Sequence, residues 1–402
     1  MRTRTAVAAV VVLLALGGVV GVGLFTGSSG GLSVDWVSDT PRSNQVNHHP
    51  VTAAAADDRV DVVAPVSSVA GEDARCAVTM LNASGGIRWQ RAIDPDRCAI
   101  HGIGDPVVAD ATGDGRADVL VPTTEERLYV YDADTGETQW TQNLTSFGYA
   151  GPVVLTEPRR LVVQPDFRGS VFATTANGSV AWRYDIDETV LATPKRIDVP
   201  SVSGPTIAVG SNENLTVFDA TGRVVWQRPT RGTWLAAGRL DGQSVVVASG
   251  GSTITAFDAD GARRWQRTNW TRPSLGHVED GDGDGTPEVY VGGGGDVVAA
   301  LNVSTGATEW RTTLSTDADV LPPPVAGDVD GDGASEIVAV TNDGTVYVLS
   351  PRTGDVQASY SRDVAVWAEP TLFDIDGDGR DEILVMYGDG RVVALSDDTD
   401  TS

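Results

Sequence analysis

The 402-residue sequence is almost without lysine: Lys195 is the only one, and the other 28 of its 29 basic residues are arginine. Acid dominates instead, with 55 Asp and Glu giving a formal net charge of -26 at pH 7. A polyanion of this size repels phosphates, which excludes sequence-independent binding to nucleic acid. Histidine is scarce too, with only His48, His49, His101 and His277. No His-Glu-x-x-His or phosphate-binding loop occurs, and Gly27 to Gly31 matches Gly-x-Ser-x-Gly only within a Gly/Ser stretch, so few residues remain for nucleophilic or acid–base catalysis. Aromatic side chains are only 6% of the chain. Even so, at 41% hydrophobic and rich in valine, the chain buries a core and is not disordered.

Cysteine is limited to Cys76 and Cys98. In an exported chain such a pair forms a disulfide worth about 3 kcal/mol through loop closure; two buried free thiols are the alternative. Export is indicated by the N-terminus, where Arg2 and Arg4 precede an uncharged apolar run, Ala6 to Phe25. As a helix, that run spans about 30 Å of hydrocarbon. It is longer than the hydrophobic region of a cleaved signal and leads into Thr26-Gly27-Ser28-Ser29-Gly30-Gly31, a flexible linker. Residues 1–31 are therefore expected to hold one transmembrane helix with the bulk of the chain outside the cell, because arginine precedes the span and Asp35 and Asp39 follow it. Secretion after cleavage is the alternative. Six sequons accord with export, at Asn82, Asn143, Asn177, Asn214, Asn269 and Asn302.

The body of the chain is a repeat. Gly-x-x-x-Trp recurs at Gly85–Trp89, Gly136–Trp140, Gly178–Trp182, Gly222–Trp226, Gly261–Trp265 and Gly306–Trp310, and a seventh copy, Gly354 to Ala358, has lost its tryptophan. Each glycine supplies the positive φ of a tight hairpin, and each tryptophan starts the return strand and docks between neighbouring sheets. Val-rich strands such as Val107-Val108-Ala109 and Asp118 to Val121 lie upstream. Four short strands per ~45 residues, without helical periodicity, predict an all-β, eight-bladed β-propeller over residues 32–397 with an acidic tail at 398–402. Blades are expected to start near His49, Asp105, Gly151, Thr193, Trp234, Leu275, Pro323 and Glu369; seven blades are the alternative. The last blade lacks an outer strand, while Val34-Asp35-Trp36-Val37 looks like an outer strand with no blade before it. The N-terminal strand, with Trp36, is therefore expected to close the ring and remove both sheet edges.

Four first-to-second-strand loops are acidic. Three are complete: Asp280, Asp282, Asp284 and Glu288; Asp328, Asp330, Asp332 and Glu336; Asp374, Asp376, Asp378 and Glu382. The fourth, with Asp110, Asp114 and Asp118, has Thr112 in place of its second aspartate. Carboxylates at alternate positions, glycines for the turn and a carboxylate at position nine present oxygen to a hard cation, so three or four Ca²⁺ ions are expected. An EF-hand is excluded, because position twelve is Val291, Ala339 or Val385. A second candidate site is the channel rim, where His49, Asp105, Trp234, His277, Trp367 and Glu369 fall at or just before first strands.

These acidic loops resemble the FG-GAP repeats of integrin-type propellers. The hairpin Ala300 to Trp310 resembles the tryptophan-docking repeat of pyrroloquinoline quinone (PQQ) propellers, and the two resemblances together cover nearly all of residues 32–397. The PQQ-like group includes quinoprotein alcohol dehydrogenases and a non-enzymatic propeller that assists outer-membrane protein assembly. The quinoprotein resemblance would imply a vicinal disulfide stacked on the quinone. Cys76 and Cys98 stand 22 positions apart, which argues against PQQ. The expected function is a non-enzymatic, calcium-stabilised surface scaffold for a protein or glycan; a surface enzyme using the rim, PQQ-dependent or carbohydrate-active, is the alternative. High acid with almost no lysine resembles proteins of extreme halophiles.

Overall fold

The computed structural model describes residues 30–40, 46–56, 59–69, 75–314 and 321–397. Among them there is no α-helix, and no helix long and apolar enough to cross a membrane; the expected transmembrane helix and the acidic tail lie outside the described residues. The chain runs through antiparallel four-stranded meanders. Six are separate sheets, beginning with Thr52–Ala56, Val107–Ala109, Val153–Leu155, Lys195–Ile197, Trp234–Leu240 and Ser274–Glu279. The remaining strands form one sheet of eight.

That larger sheet takes in the N-terminal strand. β1 (Gly30–Val37) pairs antiparallel with the last strand, β2 (Val392–Asp397), in the register Leu32↔Asp397 and Val37↔Val393. It also pairs, in parallel, with Val356–Ser361 through Gly30↔Ala358 and Gly31↔Ser359. Ala358 stands where the other repeats place tryptophan. Two meanders join edge to edge through these two residue pairs, at the one repeat whose tryptophan position is alanine.

Elsewhere the indoles space the sheets. A methyl group on Gly136 would come within 2.7 Å of Trp89, and the same relation ties Gly85 to Trp36, Gly178 to Trp140, Gly222 to Trp182, Gly261 to Trp226, Gly306 to Trp265 and Gly354 to Trp310. Each of these glycines has positive φ, so it both turns the hairpin and makes room for the ring. Indole Nε1 groups donate to the neighbouring sheet, as in Trp89 to Ala133 O at 2.9 Å and Trp265 to Val303 O at 2.7 Å; those of Trp36 and Trp140 are buried without a partner. Arg228 and Arg267 follow two residues after their tryptophans and donate to Gly261 O and Gly306 O.

The core lies between sheets. Second strands such as Glu336–Val340 and Leu161–Pro165 are buried throughout and are mostly apolar, as two-sided burial demands, with Glu336 and Gln164 as the polar exceptions. Outer strands such as Val180–Asp185 are mostly exposed. One cluster packs Val62, Ala64 and Leu81 against Leu384, Met386 and Ala394, so the first meander meets the last and the ring is closed. From Lys195–Ile197 through the closure at Thr52–Ala56 to Val107–Ala109, first strands touch their neighbours in chain order around a central channel.

Candidate functional site

The three complete acidic loops sit on consecutive meanders, at the far end of first strands Ser274–Glu279, Val325–Gly327 and Thr371–Phe373. Backbone amides shape them. Asp328 accepts from Gly331 N at 2.7 Å and Gly333 N at 2.9 Å, and Asp374 from Gly377 N at 2.6 Å and Gly379 N at 3.0 Å. Both acceptor patterns need glycine at positive φ. The folded loops bring one oxygen from each of Asp280, Asp282 and Glu288 within 4.8 Å of one another, and likewise for Asp328, Asp330 and Asp332, and for Asp374, Asp376 and Glu382. Asp284 and Asp378 stay in their loops, accepting from Thr286 N and Arg380 N. Glu336 is buried and accepts from Val329 N at 3.1 Å.

Burial dominates the electrostatics of the position-nine carboxylates. It pushes Glu288 up to about 8, with Glu309 and Asp282 adding to the effect. It pushes Glu336 and Glu382 up to about 7, with nearby loop aspartates adding. Glu288 Oε1 is buried with no hydrogen-bond partner.

The Asp110–Asp118 loop folds similarly, with Asp110 accepting from Gly113 N at 2.6 Å. Its carboxylates do not form such a group. Arg160 pairs with Asp110 at 3.1 Å, Arg116 pairs with Asp114 at 3.3 Å, and Asp118 accepts from Ala111 N and Thr112 N. Here arginine supplies the positive charge.

The channel mouth lies at the opposite end of the first strands. Its outer lobe, of about 150 Å³, is lined by His48, Asp105, Tyr149, Lys195, Trp234, Trp367 and Glu369, among others. An inner lobe of about 310 Å³ shares Asp105, Thr193, Lys195 and Glu369 and adds His277. The structure thus gathers Asp105, Trp234, Trp367 and Glu369 at the mouth, while His277, an exposed side chain, lines the adjoining lobe. His49 is buried behind them rather than on the rim. Its Nδ1 donates to Asp105 at 2.7 Å, and its Nε2 lies 3.2 Å from His101 Nδ1. Thr193 donates to the other oxygen of Asp105 at 3.2 Å. Burial, with His49 and His48 close by, lowers His101 to about 4. Burial raises Glu369 to about 7, with Lys195 opposing the shift and Asp105 adding to it.

Sequence reasoning missed Lys195, Thr193 and Tyr149 here, although a signal existed. A residue followed by proline opens many first strands: His49-Pro50, Asp105-Pro106, Gly151-Pro152, Thr193-Pro194 and Glu369-Pro370. The residue before proline is held extended, and its repetition presents successive side chains to one channel.

Cys76 and Cys98 are disulfide-bonded. Among the sequons, Asn82, Asn143, Asn177 and Asn269 are exposed, whereas Asn214 and Asn302 are half-buried and donate their amides to Glu188 and Glu309.

Solved structures confirm the fold. BamB from Moraxella catarrhalis matches with a TM-score of 0.64 at 19% identity, covering 92% of this chain and 99% of that one. The quinohemoprotein alcohol dehydrogenase ADHIIG from Pseudomonas putida HK5 matches with a TM-score of 0.65 at 14% identity, covering 93% and 77%. The computationally designed Ika8 protein matches at 0.61 and 14%, covering 89% and 98%. Among curated proteins no match is found. The family model described as outer membrane protein assembly factor BamB matches in overlapping segments, 31–156, 74–194, 168–283 and 252–399. From its repeated tryptophan hairpins to its ring of four-stranded meanders, the chain belongs to this family of PQQ-like β-propellers.

Proposed function

We propose that the chain is a non-enzymatic, calcium-stabilised propeller that stands outside the cell on an N-terminal membrane anchor and binds a surface protein or glycan. The eight-stranded sheet counts as two blades joined at Ala358, which makes eight blades over residues 32–397. The observation that carries the reading is the unpartnered, buried Oε1 of Glu288 beside Asp280 and Asp282. Tyr290 donates to the other oxygen of Glu288 at 3.4 Å, but a buried carboxylate oxygen left without a donor is disfavoured unless a proton or a cation meets it. Oxygen-only donors on a flexible loop suit Ca²⁺ better than Mg²⁺ or Zn²⁺. Three ions are proposed, on the consecutive loops at 280–288, 328–336 and 374–382; the Asp110 loop is already neutralised by arginine. The ions neutralise and stiffen one face of the ring. Exposed Asn82, Asn143, Asn177 and Asn269 are the proposed glycosylation sites, and surface acid keeps the chain hydrated in a salty exterior.

Binding rather than catalysis is supported by family membership, since BamB is named an assembly factor. The disulfide lies at a sequence separation of 22, so it is not of the vicinal kind that the quinoprotein resemblance would require. Immobilised in calcium, the full chain is expected to retain glycoconjugates or proteins released from its native cell surface, and to release them on chelation. Alcohol oxidation with an artificial electron acceptor that appears on adding PQQ, and that Trp367→Ala abolishes, would overturn this reading in favour of the enzyme.

A further inference from the structure

Ten tryptophans occur in the chain, and the two that are exposed, Trp234 at 36% and Trp367 at 41%, both line the outer lobe of the channel mouth. Neither belongs to the docking set. Exposed indole faces over a polar floor suit a ligand with one apolar face and a polar edge, which is how a pyranose ring presents itself. The outer lobe, at about 150 Å³, lies below the ~300 Å³ at which drug-sized pockets begin. It takes one ring and its substituents.

The floor decides the charge of that ring. Asp105 has both oxygens engaged, by His49 and by Thr193. Glu369 sits in surroundings that favour its neutral form. Lys195 lines both lobes and, among the described residues, has no carboxylate within 4 Å. In a chain otherwise reliant on arginine, its sole lysine thus lines a cavity without a salt bridge of its own, its charge felt by Glu369 and His277. An ammonium is a compact point charge with three donors, suited to a carboxylate or sulfate.

We propose that the channel mouth binds a single pyranose unit carrying an anionic group, a uronic acid or a sulfated sugar, stacked on Trp234 or Trp367 with its charge on Lys195. This rests on the surface-binding reading and chooses glycan over protein at this site. Full-length protein in calcium is titrated with glucuronic acid, glucose 6-sulfate and glucose. Tryptophan fluorescence and saturation-transfer NMR of the sugar protons report binding. Both anionic sugars are expected to bind about tenfold more tightly than glucose, the worth of one charged hydrogen bond. Lys195→Met is expected to level the three sugars, and Trp367→Ala or Trp234→Ala to weaken all of them, with melting curves confirming that each variant folds. Equal affinity for glucose and glucuronic acid in the unaltered protein overturns the proposal. So does PQQ displacing the sugars at micromolar concentration. Silence from every sugar while chelation still lowers the melting temperature sinks this site alone; silence together with an unchanged melting temperature removes the surface-binding reading as well.

Discussion

At the scale of single residues, two kinds of position bear the most weight. The first is the glycine–indole pair. Trp265 is buried, donates to Val303 O at 2.7 Å and presses on Gly306, where a methyl group would come within 2.5 Å of the ring. Trp265→Ala is expected to cost about 3–5 kcal/mol in urea unfolding, as for other large core truncations. Gly306→Ala is expected to destabilise as well, through positive φ and overpacking. The second is the histidine cluster behind the channel mouth. His101 is held neutral, with its folded value near 4 against 6.5 when unfolded. Between those values the unfolded chain binds more protons, so stability is present above about 6.5 and is lost as pH falls toward 4. In saturating calcium, His101→Asn should lose less melting temperature than the parent between pH 7.5 and pH 5. Equal losses would contradict the assignment.

At the scale of elements, the acidic loops separate into two kinds: Thr112 already set the Asp110 loop apart in the sequence, and the structure adds that arginine pairs with its aspartates. Three of the four spaced carboxylates in each complete loop come within 4.8 Å of one another, since local amide-to-carboxylate hydrogen bonds fix the turn where the glycines stand. What spacing did not show was Arg160, which reaches Asp110 from the next meander; contacts between blades are not encoded in the periodicity of one. Titration calorimetry is expected to count three Ca²⁺ per chain, falling to two in Asp330→Asn and staying at three in Asp110→Asn. A count of four that drops with Asp110→Asn would contradict the distinction. Glu288, Glu336 and Glu382 must ionise to meet a cation, and burial holds them near 8, 7 and 7. Calcium affinity should therefore fall as pH drops from 8 to 6.

At the scale of the whole molecule, the meander architecture and the closing role of Trp36 were readable because a repeat writes the same instruction many times. The joined sheet was not, because it rests on two residue pairs, Gly30 with Ala358 and Gly31 with Ser359, that no repeat pattern announces. The channel site was half readable: Asp105, Trp234, Trp367 and Glu369 were expected there, whereas Lys195 was noticed as rare without being placed. Closure itself is testable, since Leu32 to Val37 pair with the final strand. A chain starting at Ser38 should melt well below one starting at Gly30, and equal melting would mean that the ring does not depend on its terminal strand.

The three proposed cations hold one face of this propeller together, and the melting temperature reads this directly when taken at moderate salt and pH 8, with excess calcium and then with excess chelator. A sharp fall on chelation is expected, restored by added calcium and abolished when Asp282, Asp330 and Asp376 are replaced together by asparagine. An unchanged melting temperature in the unaltered protein would contradict it.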